Sequence, residues 1–428
     1  MILTYLRQLW QSPDLRKRIL FTLFLLLVYR VVAHIAVPGV NKEVFQNFIN
    51  GAQNGSSPLG IFAALTGGAL ENFSVIMLGL SPYINASIII QLCSVIFPKL
   101  EAIRKEGIQG QQKINTYTRW LSWPLAFLQS YGFLVLLNRG GAGTMISTTF
   151  PGVLIPMVIV SMGCVFIMWI GELITEKGIG NGISLIIFTG IVAGIPKTLT
   201  TMFVAGQDKS SAFYLFAIVS LATLVAVVLF TDAHRVIPVT YANQGAGRGV
   251  KGNIPIRLNQ AGMVPIIFAV SLITFPGIIA QFLSTAPRFA GVVTFIQTYL
   301  SSNAPSYIYI VTYFLLVIIF TYFYVSVTFR PDEVAESIQK RGGFIPGIRP
   351  GRQTAEMLAG VSNRLNLWGG TFLGIVAIIP LIFTKFSTLN SSDLIISGSG
   401  LIIIVGVVLE LIRQVNAQLL VHDYEKLV

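Results

Sequence analysis

Cysteine, histidine and charge are all scarce in this 428-residue chain, and each scarcity closes off a class of function. Both cysteines, Cys93 and Cys164, sit inside apolar stretches, so they read as small packing residues and no disulfide is implied. The three histidines, His34, His234 and His422, are too scattered for a metal site, and no metal or other cofactor is expected. HExxH and GxSxG motifs are absent, which leaves a membrane-embedded hydrolase without a recognisable nucleophile, base or metal constellation. The glycine scatter in GIGNGIS has no Walker lysine after it, and its place between two apolar runs argues for a tight helix connection. No enzymatic activity is expected. Ionisable residues inside the apolar stretches reduce to Arg30, His34 and Glu410, the last expected to pair with Arg413 three residues on. A proton-coupled carrier normally keeps acidic relays near the midplane, and none are present.

What the chain has instead is apolar length. Hydrophobic residues make up 54% and charged residues 11%, too apolar for a soluble chain of this size. Ten stretches approach spanning length: 19–36, 75–97, 120–137, 153–170, 183–195, 212–230, 264–283, 307–327, 368–383 and 394–412. A crossing helix needs about 20 apolar residues, and a lipid-exposed span must be helical because no water satisfies its backbone. Residues 1–18 read as an amphipathic N-terminus without the pattern of a cleaved signal peptide.

The basic residues orient these spans. Of 29 lysines and arginines, 22 fall on the N-terminus, on alternate connections and on the C-terminus; the opposite set holds only Lys42, Arg139, Lys197, Lys209, Arg288 and Lys385. Positive charge stays inside, so both termini are expected in the cytoplasm. The net charge of +12 is then mostly a topology signal that also leaves a basic face for acidic partners or anionic lipids.

Ten spans divide into five and five. The reading is an N-terminal half over 19–199, an external hinge at 200–211, a C-terminal half over 212–414 and a cytoplasmic C-terminus at 415–428. An odd number per half makes the halves inverted and puts a pathway between them. Two cytoplasmic connections, 231–259 and 330–365, are long enough to have a task of their own. Segment 59–74, LGIFAALTGGALENFS, is anomalous: with the next span it exceeds one crossing, yet lacks the turn that two would need. A re-entrant half-helix fits its length, and an amphipathic helix on the outer surface is the alternative.

Three motifs sharpen this picture: PYINASIIIQL at 82–92, TEKGIGNGIS at 175–184 and GGFIPGIRPG at 342–351. With IAVPGV after the first span, NQAGMVP opening the seventh, LWGG before the ninth and RQVNAQLL after the tenth, the chain resembles the SecY/Sec61-alpha family over essentially its whole length. The bacterial members are the central subunit of the Sec protein translocase. The resemblance implies an all-α polytopic membrane protein of ten transmembrane helices, in two inverted five-helix halves around a central hourglass pore, with a re-entrant plug half-helix. It implies a channel in the bacterial plasma membrane that passes unfolded secretory polypeptides and releases transmembrane segments sideways into lipid. Its implied partners are the SecE and SecG subunits, the SecA motor ATPase, the ribosome, signal peptides and nascent chains, with energy supplied by the motor or the ribosome. An inverted-repeat secondary transporter of small solutes is the alternative, resting on span count and half symmetry alone.

Residues carry over from that resemblance one by one. Ile84 and Ile88, like Ile183 and Ile187, are four apart and share a helical face. Ile267 and Ile403 match the remaining family positions of an aliphatic pore ring, which resists ions by dewetting. The plug corresponds to Leu59, Gly60, Ile61, Phe62, Ala63, Ala64, Leu65, Thr66, Gly67, Gly68, Ala69, Leu70, Glu71, Asn72 and Phe73, whose small residues suggest weak packing. The lateral gate lies between the second and third spans and the seventh and eighth, where Gln91, Gln129 and Ser271 are expected to bond between helices. Arg349, set among Pro346, Pro350 and glycines, is the expected docking residue for motor carboxylates or ribosomal phosphates, helped by Arg248 and Lys251. The stretch QGAGRGVKG departs from the family, with one arginine where a pair is common.

Overall fold

The computed structural model describes residues 12–38, 69, 73–140, 152–205, 210–241, 250–283, 287–300, 306–386 and 398–425. Each of the ten apolar stretches holds a helix. In the first half these are α1 (Pro13–Val32), α2 (Ser81–Ile96) with its short continuation α3 (Pro98–Lys105), α4 (Ile108–Gly140), α5 (Leu154–Lys177) and α6 (Gly182–Ala205). The second half has α7 (Ser210–Asp232), α8 (Val264–Leu283), a short connecting helix α9 (Ala290–Tyr299), α10 (Tyr307–Thr328), α11 (Pro331–Lys340), α12 (Arg352–Phe386) and α13 (Gly398–Glu425). Four stretches, Leu154–Lys177, Tyr307–Lys340, Arg352–Ile382 and Gly400–Leu419, are each long and apolar enough to cross a bilayer alone, and α2 with α3 makes a fifth.

Several expected boundaries move. The first helix starts at Pro13, inside the segment read as a separate N-terminus. The second stretch is not one helix: residues 75–80 are turns, and Phe97, extended ahead of Pro98, bends α2 from α3 by 101°. A residue preceding proline is pushed out of the helical region by the ring, which accounts for the bend. Between the halves, α6 runs on to Ala205 and α7 begins at Ser210, so most of the expected hinge is helix. The last part of connection 330–365 belongs to α12, and most of the expected C-terminal segment to α13. Connection 231–259, read only as a loop, forms β1 (His234–Tyr241) and β2 (Val250–Arg257). A two-residue strand from the other long connection, β3 (Gly343–Phe344), completes an antiparallel sheet in the order β2-β1-β3.

The main core is one apolar cluster through both halves, in which Ile76, Ile167, Ile174, Ile266, Leu373 and Ile402 are at most 1% exposed. A second cluster joins Val37, Phe73, Met77, Leu134, Met157 and Val160. A third, of Ile237, Val239, Ile256, Ile338, Ile345 and Leu358, belongs to the two long connections alone. Outside the main core the pattern reverses. Leu23, Phe24, Trp120, Leu229 and Trp368 are each more than half exposed, a surface that water does not tolerate and lipid does.

Close helix approach depends on small residues, because without a hydrophobic drive between helices packing must be intimate. A Cβ at Gly163 of α5 would lie 2.1 Å from the Val75 carbonyl oxygen, whereas one at Gly360 of α12 would meet nothing within 4 Å. Gly163→Ala is therefore expected to destabilise the purified protein by about 1–3 kcal/mol. Gly360→Ala should stabilise it by about 0.5–1 kcal/mol, as alanine does in an open helix interior. Thermal unfolding in detergent checks both, and equal melting temperatures for the two variants would contradict the packing described.

Candidate functional site

The six isoleucines singled out above ride on four helices and enter the same cluster. Ile88 of α2, Ile187 of α6 and Ile403 of α13 are 6%, 7% and 2% exposed, and Ile84, Ile183 and Ile267 are half-buried against that cluster. Local chemistry sets each helix. Asn181 accepts at Oδ1 from the backbone N–H of Ile183 (3.1 Å) and Ser184 (3.3 Å), capping α6 so that Ile183 and Ile187 share its inner face. The tight connection before it is real. Gly180 has φ +85°, the Ile179 N–H donates to Thr22 Oγ1 of α1 (3.1 Å), and a Cβ at Gly182 would lie 2.0 Å from the Gly171 oxygen. Gly262, at φ +64°, similarly turns the chain into α8, whose first amides return to the Met263 carbonyl.

The two halves touch along two lines. On one, α8 packs against both α2 and α4; on the other, α6 packs against α13. The first line holds the three polar residues expected to bond across it, and here the structure gives Gln91 a different partner. The Gln91 amide donates to Ser87 Oγ on its own helix (3.1 Å), leaving its Oε1 buried without a partner. The main-chain carbonyl of Ser271 accepts from Thr274 Oγ1 (2.9 Å), a bond that does not involve the Ser271 hydroxyl. Gln129 is half-buried on α4. A glutamine four residues from a serine finds a partner on its own helix without waiting for a neighbouring one, which is why the Gln91 bond stays local.

Of the proposed plug, residues 59–68 and 70–72 lie outside the described residues. Its described end is held firmly instead of loosely. Ala69 and Phe73 are 1% and 2% exposed, and the Ser74 N–H donates to the Ala69 carbonyl (3.0 Å). Ser74 Oγ donates to the Val32 carbonyl (2.9 Å) and accepts from the Ile76 N–H (3.2 Å), and Val75 N–H donates to the Ile35 carbonyl (3.0 Å). Phe73, at φ +45°, turns the chain inward.

The two long connections form one unit. Its sheet is pinned by Tyr241, whose ring lies where a Cβ on Gly252 of β2 or on Gly343 of β3 would sit, 2.7 Å from each. Arg349 lies in the turn after β3, between Gly347 (φ +83°) and Gly351 (φ +95°). Its backbone is fixed, with its carbonyl accepting from Thr354 Oγ1 (3.0 Å), while its side chain is exposed. Lys251 sits in β2 opposite Thr240, and Arg248 lies outside the described residues. On α11 beside this turn, the hydrogen bond from Lys340 holds the Glu336 carboxyl below the ordinary carboxylate range.

Other ion pairs went unread in the sequence. Arg413 turns away from Glu410 and bonds Asp232 (3.0 Å) and the Thr231 carbonyl (3.1 Å) at the end of α7. Arg119 of α4 grips Glu172 of α5 in a forked pair at 3.2 and 2.6 Å. Arg104 of α3 donates to the Val327 carbonyl at the end of α10. Among the described residues no three His, Cys, Asp or Glu side chains gather as a metal site would require.

Comparison with known proteins adds a frame to this geometry. A family model described as SecY matches residues 74–412. The chain is 40% identical over 440 residues to the protein translocase subunit SecY of Streptomyces coelicolor, covering 99% of each chain. Among solved structures it is similar to a protein-conducting channel, with a TM-score of 0.66 and 19% identity over 94% of this chain and 91% of that one. It is similar too to Sec61 of the canine ribosome-channel complex from the endoplasmic reticulum, with a TM-score of 0.64, 19% identity, and 94% and 91% coverage.

Proposed function

The chain is a member of the SecY family, a multi-pass membrane protein, and from that premise we propose that it is the protein-conducting channel of a Sec translocase. The observation that carries the reading is that six isoleucines, from four helices, all belong to or pack against one buried apolar cluster. A waist lined only by branched aliphatic side chains dewets when closed and so resists ions, and it offers a passing polypeptide no polar site at which to stall. Residues 59–73 would close the outer funnel as a plug. Because Phe73 and Ser74 are anchored against the end of α1, its displacement would hinge on the N-terminal side of Phe73.

The line between α2 and α4 on one side and α8 and α10 on the other is the proposed lateral gate. An apolar seam with a buried, unpaired Gln91 Oε1 is a poor permanent contact, since an orphaned acceptor costs about 1–3 kcal/mol that an arriving peptide group can relieve. In this reading ten spans form two inverted halves in the plasma membrane of a bacterial cell, and the crowding of lysine and arginine on alternate connections supports a cytoplasmic position for those connections and both termini. There the unit built on β1, β2 and β3 presents Arg349, with Arg248 and Lys251, to a SecA-type motor, to the ribosome, or to anionic lipid. Small SecE and SecG subunits would flank the bundle. The chain supplies no energy itself, so the motor or the ribosome pushes.

Three experiments test this. In proteoliposomes, a signal-bearing precursor should cross only when the motor and ATP are present, and its stalled chain should crosslink to probes at Ile88, Ile187 or Ile267; capture at lipid-facing positions alone would overturn the channel reading. Ile403→Asn should raise the resting ion leak by about an order of magnitude by wetting the waist, and an unchanged leak removes Ile403 from the ring. Arg349→Glu should reduce motor- or ribosome-coupled transport by about tenfold through lost charge complementarity; normal coupling would remove it from the docking face.

A further inference from the structure

The proposed gate has a second contact at its mouth, made by a residue that neither the sequence motifs nor the pore assign. The 101° bend at Phe97–Pro98 swings α3 away from the axis of α2, and Arg104 lies in the last turn of α3. Its half-buried guanidinium donates to the main-chain carbonyl of Val327, 223 residues away. That carbonyl lies in the final turn of α10, which ends at Thr328 ahead of extended Phe329. The last four carbonyls of a helix have no partner within it, and they carry the negative end of its dipole. Arg104 therefore caps a helix on the opposite side of the seam from its own.

The surrounding charges oppose and support this contact. Burial foremost, and then the Arg330 guanidinium, push the Arg104 pKa down from its ordinary value, while Tyr324 and Glu101 act the other way. Glu101 is itself paired with Lys105 (2.7 Å) and Arg330 with Glu333, so neither carboxylate is given over to Arg104 alone. One like charge nearby and a bond to a main-chain carbonyl make a contact strong enough to bias the seam and weak enough to release.

We propose that Arg104 is the latch of the lateral gate, tying α3 to the carbonyl end of α10 while the channel rests and letting go when a signal peptide parts the seam. This rests on the gate reading given above. The test uses the channel with its partner subunits in proteoliposomes, with motor and ATP, and a precursor whose signal peptide has a shortened apolar core. With the latch gone, less signal binding is needed to open the gate. Arg104→Ala should raise transport of this precursor roughly threefold to tenfold, the change expected from one charge-assisted hydrogen bond. Arg104→Lys should bring it back toward the parent rate, and Arg330→Gln, by removing the repelling charge, should lower it below the parent. No rise with Arg104→Ala, or a shift of the same sign with Arg330→Gln, would overturn the latch.

Two further measurements keep the outcome readable. A photocrosslinking probe at Gln91 or Ser271 should capture the signal peptide. If it does while Arg104→Ala has no effect, the latch alone fails; if neither position captures it, the gate reading fails whatever Arg104 does. Should Arg104→Ala not fold, Arg104→Cys with Thr328→Cys, in a Cys93→Ser background, can be joined by a short reducible thiol crosslinker. Joined, the channel should stop transporting, and reduction should restore it; transport through the joined channel would also overturn the latch.

Discussion

A buried main-chain amide that leaves a helix must find a partner other than bulk water, and two joints among the described residues show how this structure meets that constraint. At both, a small hydroxyl or amide side chain stands in for solvent. Thr22 Oγ1 of α1 takes the Ile179 N–H, Thr175 Oγ1 takes the Gly182 N–H, and Asn181 Oδ1 takes the next two amides. Ser74 does the same for the turns at 75–80. These joints lock α1, α5 and α6 to one another, and α6 carries Ile183 and Ile187, two of the six isoleucines proposed to line a waist. Such a waist would be positioned by polar chemistry outside it.

The contacts between halves are of another kind. Where α8 meets α2 and α4, and where α6 meets α13, the helices bring mostly apolar residues of the main core together. Dispersion contacts in lipid are exchanged for contacts with lipid tails at little net loss, so such a seam can part. Hydrogen-bonded joints among α1, α5 and α6 and a mostly apolar seam beside α8 together suit the proposed gate, which would open along one line without unravelling elsewhere. The exception is the mouth, where Arg104 adds a charged bond to the seam.

Much of this was legible in the sequence because hydropathy reports lipid contact directly. The spans, the tight GIGNGIS connection and the turn around Arg349 follow from residue chemistry acting over a few positions. The bend at Phe97–Pro98 obeys an equally local rule and was readable, but the apolar run continuing into it masked the break. The hairpin was partly readable as well: Ile237 and Val239 in β1, and Ile254 and Ile256 in β2, alternate as one buried face of a sheet does. What hid it was its third strand, which arrives from a connection some hundred residues later. The bonds from Arg413 to Asp232 and from Arg104 to Val327 are set by tertiary approach alone, and sequence spacing pointed Arg413 toward Glu410 instead.

The distribution of basic residues then has a structural meaning beyond orientation. At the carbonyl ends of α7 and α10, a cation from another helix takes a main-chain oxygen. Arg413 donates to the Thr231 carbonyl at the end of α7, and Arg104 to the Val327 carbonyl at the end of α10. The last turn of a helix leaves carbonyls unpaired within it and carries a partial negative charge, which a lysine or arginine can meet. A cation there serves helix termination. Because its bond is to a main-chain oxygen, its partner cannot be lost by mutation of the partner's side chain. Arg349 is the contrasting case: its carbonyl accepts from Thr354 within the unit of the two long connections, while its side chain is exposed at the surface. The basic face therefore divides into charges that fasten helices and charges presented outward, and the contact each guanidinium makes, more than its place in the sequence, tells the two apart.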